Sequence, residues 1–192
     1  MRALGSREQM HEVVQAAVLA GINHLETAPA YGPAEDFLGH ALKQAEQPEG
    51  GWVVTSKLLP GLTLREGKHQ LLKILERLGC GSLDNLAIHG INRPEHLDWA
   101  LHGDGKDLLD WAQGEGHAAQ VGFSSHGSQA LIAAAISSGR FQFCSLHLHL
   151  LDPQRLPLAH QALEQGMGVL AISPADKGGR LQAPSPTLIS DC

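Results

Sequence analysis

Short apolar runs alternate with helical patterns along almost the whole chain, and this rhythm constrains the fold more than any other feature of the sequence. A chain that repeats strand, helix, strand in this way builds βαβ units around a parallel sheet. Ser6 and Gln9 form a capping-box pattern ahead of Val13, Val14, Ala17 and Val18 at helical spacing. With Gly21 as the stop, this predicts a first helix over about 7–20. Strands are expected at 22–28, 52–58, 83–90, 118–125, 141–150 and 167–174. Helices are expected at 34–44, at 64–79 behind a Thr63–Glu66 capping box, and at 106–116, 129–139 and 153–166. In the helix over 64–79, Leu71, Ile74, Leu75 and Leu78 fall on one face. The segment 178–192, GGRLQAPSPTLISDC, reads as a loop-like tail.

Six parallel strands with crossover helices fit either a doubly wound open sheet or part of an eight-stranded barrel. The polar residues separate the two. Glu26, Lys57, His89, Ser124 with Ser125, and Ser173 each stand at the C-terminal end of a strand, and no GxGxxG turn is present. A barrel gathers chemistry from many strand ends at one mouth, whereas a doubly wound sheet concentrates it at one glycine-rich switch point. The expected fold is therefore α/β, a (β/α)8 TIM-barrel type that is incomplete, with about six of the eight strands, in a single domain over 1–192. A length of 192 residues, 43% of them hydrophobic and 18% charged, suits one such globular domain.

Three of these residues, together with Tyr31, make up a candidate proton-transfer set. A tyrosine has an ordinary pKa of about 10 and donates a proton at neutral pH only where a nearby cation stabilises its phenolate. Lys57 is the candidate cation, Glu26 the acid that holds it charged, and His89 the group that orients a substrate oxygen around Tyr31, the chain's single tyrosine. Proton donation to a carbonyl oxygen is half of a carbonyl reduction. The other half is a hydride, which no side chain supplies, so a nicotinamide cofactor is implied.

The segment GINHLETAPAYGPAEDFLGHALK resembles the aldo-keto reductase stretch that runs from an acid-ended strand to the catalytic Tyr-Gly. VVTSKL is similar to that family's lysine strand, LERLGCGSLDNLAIHG to its histidine strand, and AAQVGFSSHG to the strand whose Ser touches the nicotinamide amide. The likeness spans about residues 8–182, and GFSSHG, SLHLHL and ISPADKGGRL resemble most the subgroup of longer members that often carry a C-terminal iron–sulfur extension, which is absent here. The resemblance implies NADP as cofactor, a small-molecule aldehyde or ketone as substrate, and catalytic roles for Tyr31, Lys57, His89 and Glu26. It further implies cofactor contacts from Ser124, Ser125, His147, Ser173, Pro174 and Ala175. The chain departs from the family pattern in carrying Glu26 for the usual Asp and Ser125 for the usual Asn. The family's strand before the first helix and its strand after ISP are also without counterparts, and much of the cofactor's phosphate and adenine is held beyond the latter. The expectation is thus either a fragment or mispredicted reading frame of a longer reductase, or a natural truncation completed by a partner or by self-association through its open barrel edges; a non-catalytic barrel remnant or interaction module is the alternative to the reductase function.

Other classes fit poorly. A net charge of −6 with scattered Lys and Arg offers no basic patch for nucleic acid, and no apolar run reaches the ~20 residues of a membrane span. Cys80, Cys144 and Cys192 form no CxxC pair, and the N-terminus lacks a signal-peptide core, which points to a reducing cytoplasm. His147 and His149 share one strand face, but a two-residue spacing without a third ligand is a weak metal signal, and no metal is expected.

Overall fold

Every apolar run at which a strand is expected forms one, and each pairs in parallel with the next: β1 (His24–Glu26), β2 (Val53–Leu58), β3 (Leu83–His89), β4 (Ala118–Ser125), β5 (Phe143–His147) and β6 (Gly168–Ile172). The computed structural model describes residues 5–149 and 152–174. Within them the six strands keep chain order and curl into a half-barrel, an incomplete TIM-barrel architecture of the expected α/β type. The expected tail at 178–192, with Ala175 and Cys192, lies outside the described residues.

The connecting helices are α1 (Arg7–Leu19), α2 (Ala34–Leu42), α3 (Leu64–Leu78), α4 (Pro94–His102), α5 (Asp104–Gly114), α6 (Gln129–Ser137) and α7 (Leu156–Glu164). The Thr63–Glu66 capping box forms with both reciprocal hydrogen bonds, and Gly79 closes α3 in the left-handed conformation at φ 69°. Leu71, Ile74, Leu75 and Leu78 are all buried on the predicted face. At α1 only half a capping box forms. Ser6 Oγ accepts from the Gln9 amide, but the Gln9 side chain turns to the Gly5 N–H at 2.7 Å. Of the apolar face expected there, only Val14 is buried, joined by Met10, while Val13 is 40% exposed. None of these helices is long and apolar enough to cross a membrane.

Helix α4 is unforeseen in the sequence. Its segment PEHLDWALH buries only Ala100, so it has almost no apolar stripe to read, and Pro94 at its first turn is the one local start signal. Its own Trp99 ties it to the loop ahead of α3, the indole N–H donating to the Leu62 carbonyl at 2.9 Å.

Strand register decides which side chains meet. Glu26 pairs with Thr55, Lys57 with Ala87, His89 with Ser124, Ser124 with Ser145, and His147 with Ile172. Because side chains alternate along a strand, these residues share the concave face, while Leu86, Ile88, Val121, Phe123, Cys144 and Leu146 point outward into the helix-covered core. Two glycines permit close approach. A Cβ on Gly39 of α2 would lie 2.0 Å from the Arg77 carbonyl of α3, and one on Gly122 of β4 would lie 2.4 Å from the Phe143 carbonyl of β5. Both contacts are with backbone, which no rotamer change relieves. Cys80 and Cys144 form no disulfide, and burial pushes the Cys144 thiol up to about 12, so it acts as a packing residue.

Candidate active site

The site grows from the C-terminal end of β1. The strand stops at Glu26, sooner than the expected 28, although the Thr27 amide still donates to Thr55 at 2.9 Å. Pro29 then starts a 3-10 turn over Pro29–Tyr31, and Gly32 at φ 63° reverses the chain into α2. That short turn sets Tyr31 over the end of β2.

Lys57 is the hub. Its Nζ lies 3.1 Å from Glu26 Oε1, donates to the Thr27 carbonyl at 3.0 Å, and sits 3.3 Å from Tyr31 Oη. The lysine side chain is 3% exposed, so three oxygens around one ammonium replace the water it has lost. The extra methylene of Glu26 therefore does not prevent the ion pair. The ammonium also lies 4.9 Å from the Tyr31 ring centroid, and the His89 ring meets Tyr31 edge-on at 5.6 Å. All four residues of the expected proton-transfer set are thus brought together.

His89 is held neutral. Burial first, and then the Lys57 ammonium, push its pKa down from 6.5 to about 4, against the opposing pull of Glu26. The unfolded chain therefore binds a proton that the folded chain refuses between those values. The His89 contribution to stability is present above about pH 6.5, is lost as pH falls toward about 4, and is level below. Denaturant titrations across that range should show a shallower acid decline for His89→Gln than for the parent protein. Equal slopes would show that His89 titrates normally.

The remaining sequence-expected residues divide. Ser124, 5% exposed, borders the same cleft with a long hydroxyl contact of 3.5 Å to the Ile88 carbonyl. Ser125, one residue later, falls on the other face of β4. Its hydroxyl donates to the Ile91 carbonyl at 2.5 Å and accepts the Gly127 amide at 3.0 Å, clamping the loops that follow β3 and β4. Ser173 reaches the cleft from the end of β6 with φ 54°, the one left-handed non-glycine backbone among the described residues. His147 is 8% exposed on the concave face of β5, and Pro174 is exposed beside Ser173.

The resulting cleft has a volume of about 800 Å³, with Glu26, Tyr31, Lys57, His89, Ser124 and Ser173 on its polar side and Leu59 and Ile172 as its apolar walls. Gly90, Asn92 and His126 complete the lining and were not read from the sequence. Asn92 Oδ1 accepts the His126 amide at 2.7 Å, tying the loop after β3 to the loop after β4. The Thr27 carbonyl has no sequence signal at all, because it is backbone.

Comparison with known proteins bears on the family and the fold. The sequence profile of the Aldo/keto reductase family matches residues 4–184. Aldo-keto reductase str7 of Strobilurus tenacellus is 25% identical over 181 residues, covering 90% of this chain and 52% of its own, so the chain spans about half the length of that curated relative. An aldo/keto reductase from Brucella melitensis superposes with a TM-score of 0.73 at 23% identity, covering 96% of this chain and 69% of that one. The Bombyx mori aldo-keto reductase, solved in complex with NADP, gives 0.72 at 21% identity, with 99% and 67% coverage. These structures share the fold of this chain.

Proposed function

The chain belongs to the aldo/keto reductase family, and on that premise we propose that it reduces an aldehyde or ketone with NADPH, using Tyr31 as the proton donor. The observation that supports this most is the Glu26, Lys57 and Tyr31 chain of contacts at 3.1 and 3.3 Å, opening onto the cleft beside a neutral His89. Tyr31 gives its proton to the carbonyl oxygen. Lys57, fixed by Glu26 and the Thr27 carbonyl, stabilises the negative charge left on the tyrosine oxygen. His89, as a neutral imidazole, hydrogen-bonds the same substrate oxygen and sets its direction.

A reduced nicotinamide, when bound, supplies the hydride that no side chain carries. The cleft suits its ring end, since its lining combines the apolar Ile172 with the hydroxyl-bearing Ser124 and Ser173. Ser124 would hold the carboxamide, with Ser173 and Pro174 beyond it and His147 on the neighbouring strand. Ser125 supports Ser124 from behind by bonding the loops on either side.

NADPH fluorescence on titration with the purified chain tests the reading. Saturable quenching or enhancement, together with carbonyl-dependent NADPH consumption, is the expected result. No fluorescence change would refute it in favour of a non-catalytic interaction module.

A further inference from the structure

Beyond the cleft, the end of β5 gathers a second set of chemical groups. His147 lies on the concave face, opposite Ile172 of β6, and the alternation of the chain brings His149 toward the same side. An isolated antiparallel bridge then joins His149 to Asp152, with the Asp152 amide donating to the His149 carbonyl at 3.1 Å. This fold-back returns a carboxylate to the two imidazoles. The donor atoms of His147, His149 and Asp152 all lie within 4.8 Å of one another, His147 being buried and the other two half-buried. The third ligand that a two-residue His spacing lacks is therefore supplied through space.

We propose that His147, His149 and Asp152 bind a first-row divalent cation, of which Zn2+ is the best match. Zinc holds imidazole nitrogen and carboxylate oxygen at about 2.0–2.2 Å in a tetrahedron, which sets the donors about 3.4 Å apart. The cluster needs to contract by no more than about 1.4 Å, within reach of side-chain rotation at the half-buried positions. Two neutral nitrogens and one carboxylate favour Zn2+ or Co2+ over the hard cations Mg2+ and Ca2+, which take oxygen ligands. Asp152 Oδ1 accepts the Gln154 amide at a long 3.4 Å, so the carboxylate keeps ample capacity for a metal. Three protein ligands leave a fourth position for water. His126 brings the site to the edge of the cleft, for its ring lies 6.1 Å from that of His147 and it lines the cleft itself.

Calorimetric titration of the chelator-treated chain with Zn2+ alone is the test. One equivalent should bind, and His149→Ala and Asp152→Asn should each weaken it by at least the ~10- to 100-fold that loss of an outer-shell partner costs. Asp152→Asn preserves side-chain shape, so it reports on the site even where the alanine variant loses structure. His102→Ala, at a histidine 67% exposed on α4, should leave the titration unchanged. Co2+ bound in place of Zn2+ should show the intense visible bands of a four-coordinate ion in the parent chain and lose them in Asp152→Asn. Absence of a stoichiometric site, or a site equally strong in both ligand variants, overturns the proposal. So does weak multi-equivalent binding that falls with His102→Ala, which assigns the ions to surface histidines.

Discussion

Tyr31→Phe is expected to lower kcat/KM for carbonyl reduction by about 10²- to 10⁴-fold, the usual weight of a positioned general acid, while NADPH binding is retained. Phenylalanine keeps the ring that lies 4.9 Å from Lys57 Nζ and edge-on to His89, so the packing of the turn after β1 survives. Lys57 keeps two of its three oxygen partners, the Glu26 carboxylate and the Thr27 carbonyl. The substitution therefore removes one proton donor and little else. The loss should fall on kcat, because the hydroxyl acts as charge develops on the substrate oxygen. A Phe variant within about tenfold of the parent chain would mean that another acid, or water, delivers the proton.

Arg77→Met is expected to destabilise the fold by about 3–5 kcal/mol, the cost of leaving a buried charge without its partner. Glu35 opens α2 with its side chain 1% exposed, and its carboxylate is satisfied from two sides. Ser56 Oγ of β2 donates to Oε1 at 2.6 Å, and Arg77 of α3 reaches Oε2 at 2.6–2.8 Å. Without the guanidinium, Glu35 keeps one hydroxyl in a core that excludes water. The effect should be largely recovered in Glu35→Leu/Arg77→Met, apart from the Ser56 hydroxyl, whose lost acceptor costs about 1 kcal/mol. Urea unfolding of the parent, single and double variants measures the cycle. A single variant that loses less than about 1 kcal/mol would show that Arg77 adds no more than a surface pair does. The network also bears on the site, because α2 begins three residues after Tyr31 and anchors the turn that carries it.

Strands β2 to β5 were legible because they are largely buried runs in a parallel sheet, where continuous apolar sequence and terminal polar residues stand out, whereas β6, none of whose residues is buried, was read from its apolar composition alone. The long amphipathic helix α3 was legible for the same kind of reason, its four buried aliphatic residues repeating at helical spacing. Helix α4 was not, since it lies on the outside and buries one alanine. The failures at α1 have another origin. There the sequence offered two valid partners for one cap, and only the folded geometry selects the Gly5 amide over that of Ser6 for the Gln9 side chain.

The sequence by itself determined the strands, their parallel sense and the strand ends at which Glu26, Lys57, His89 and Ser124 stand, because apolar runs and the strand–helix alternation are written in local pattern. What only the tertiary structure decided is which neighbours share a face. Ser124 and Ser125 are both candidates in sequence, Ser125 standing where the resembled family usually has Asn, and the two-residue period of β4 sends one to the cleft and the other to a loop clamp. Likewise Asp152 gains its meaning only when the chain folds back on His149. Register and chain reversal are properties of pairing between segments, and distances of a few ångströms between residues far apart in sequence follow from nothing else.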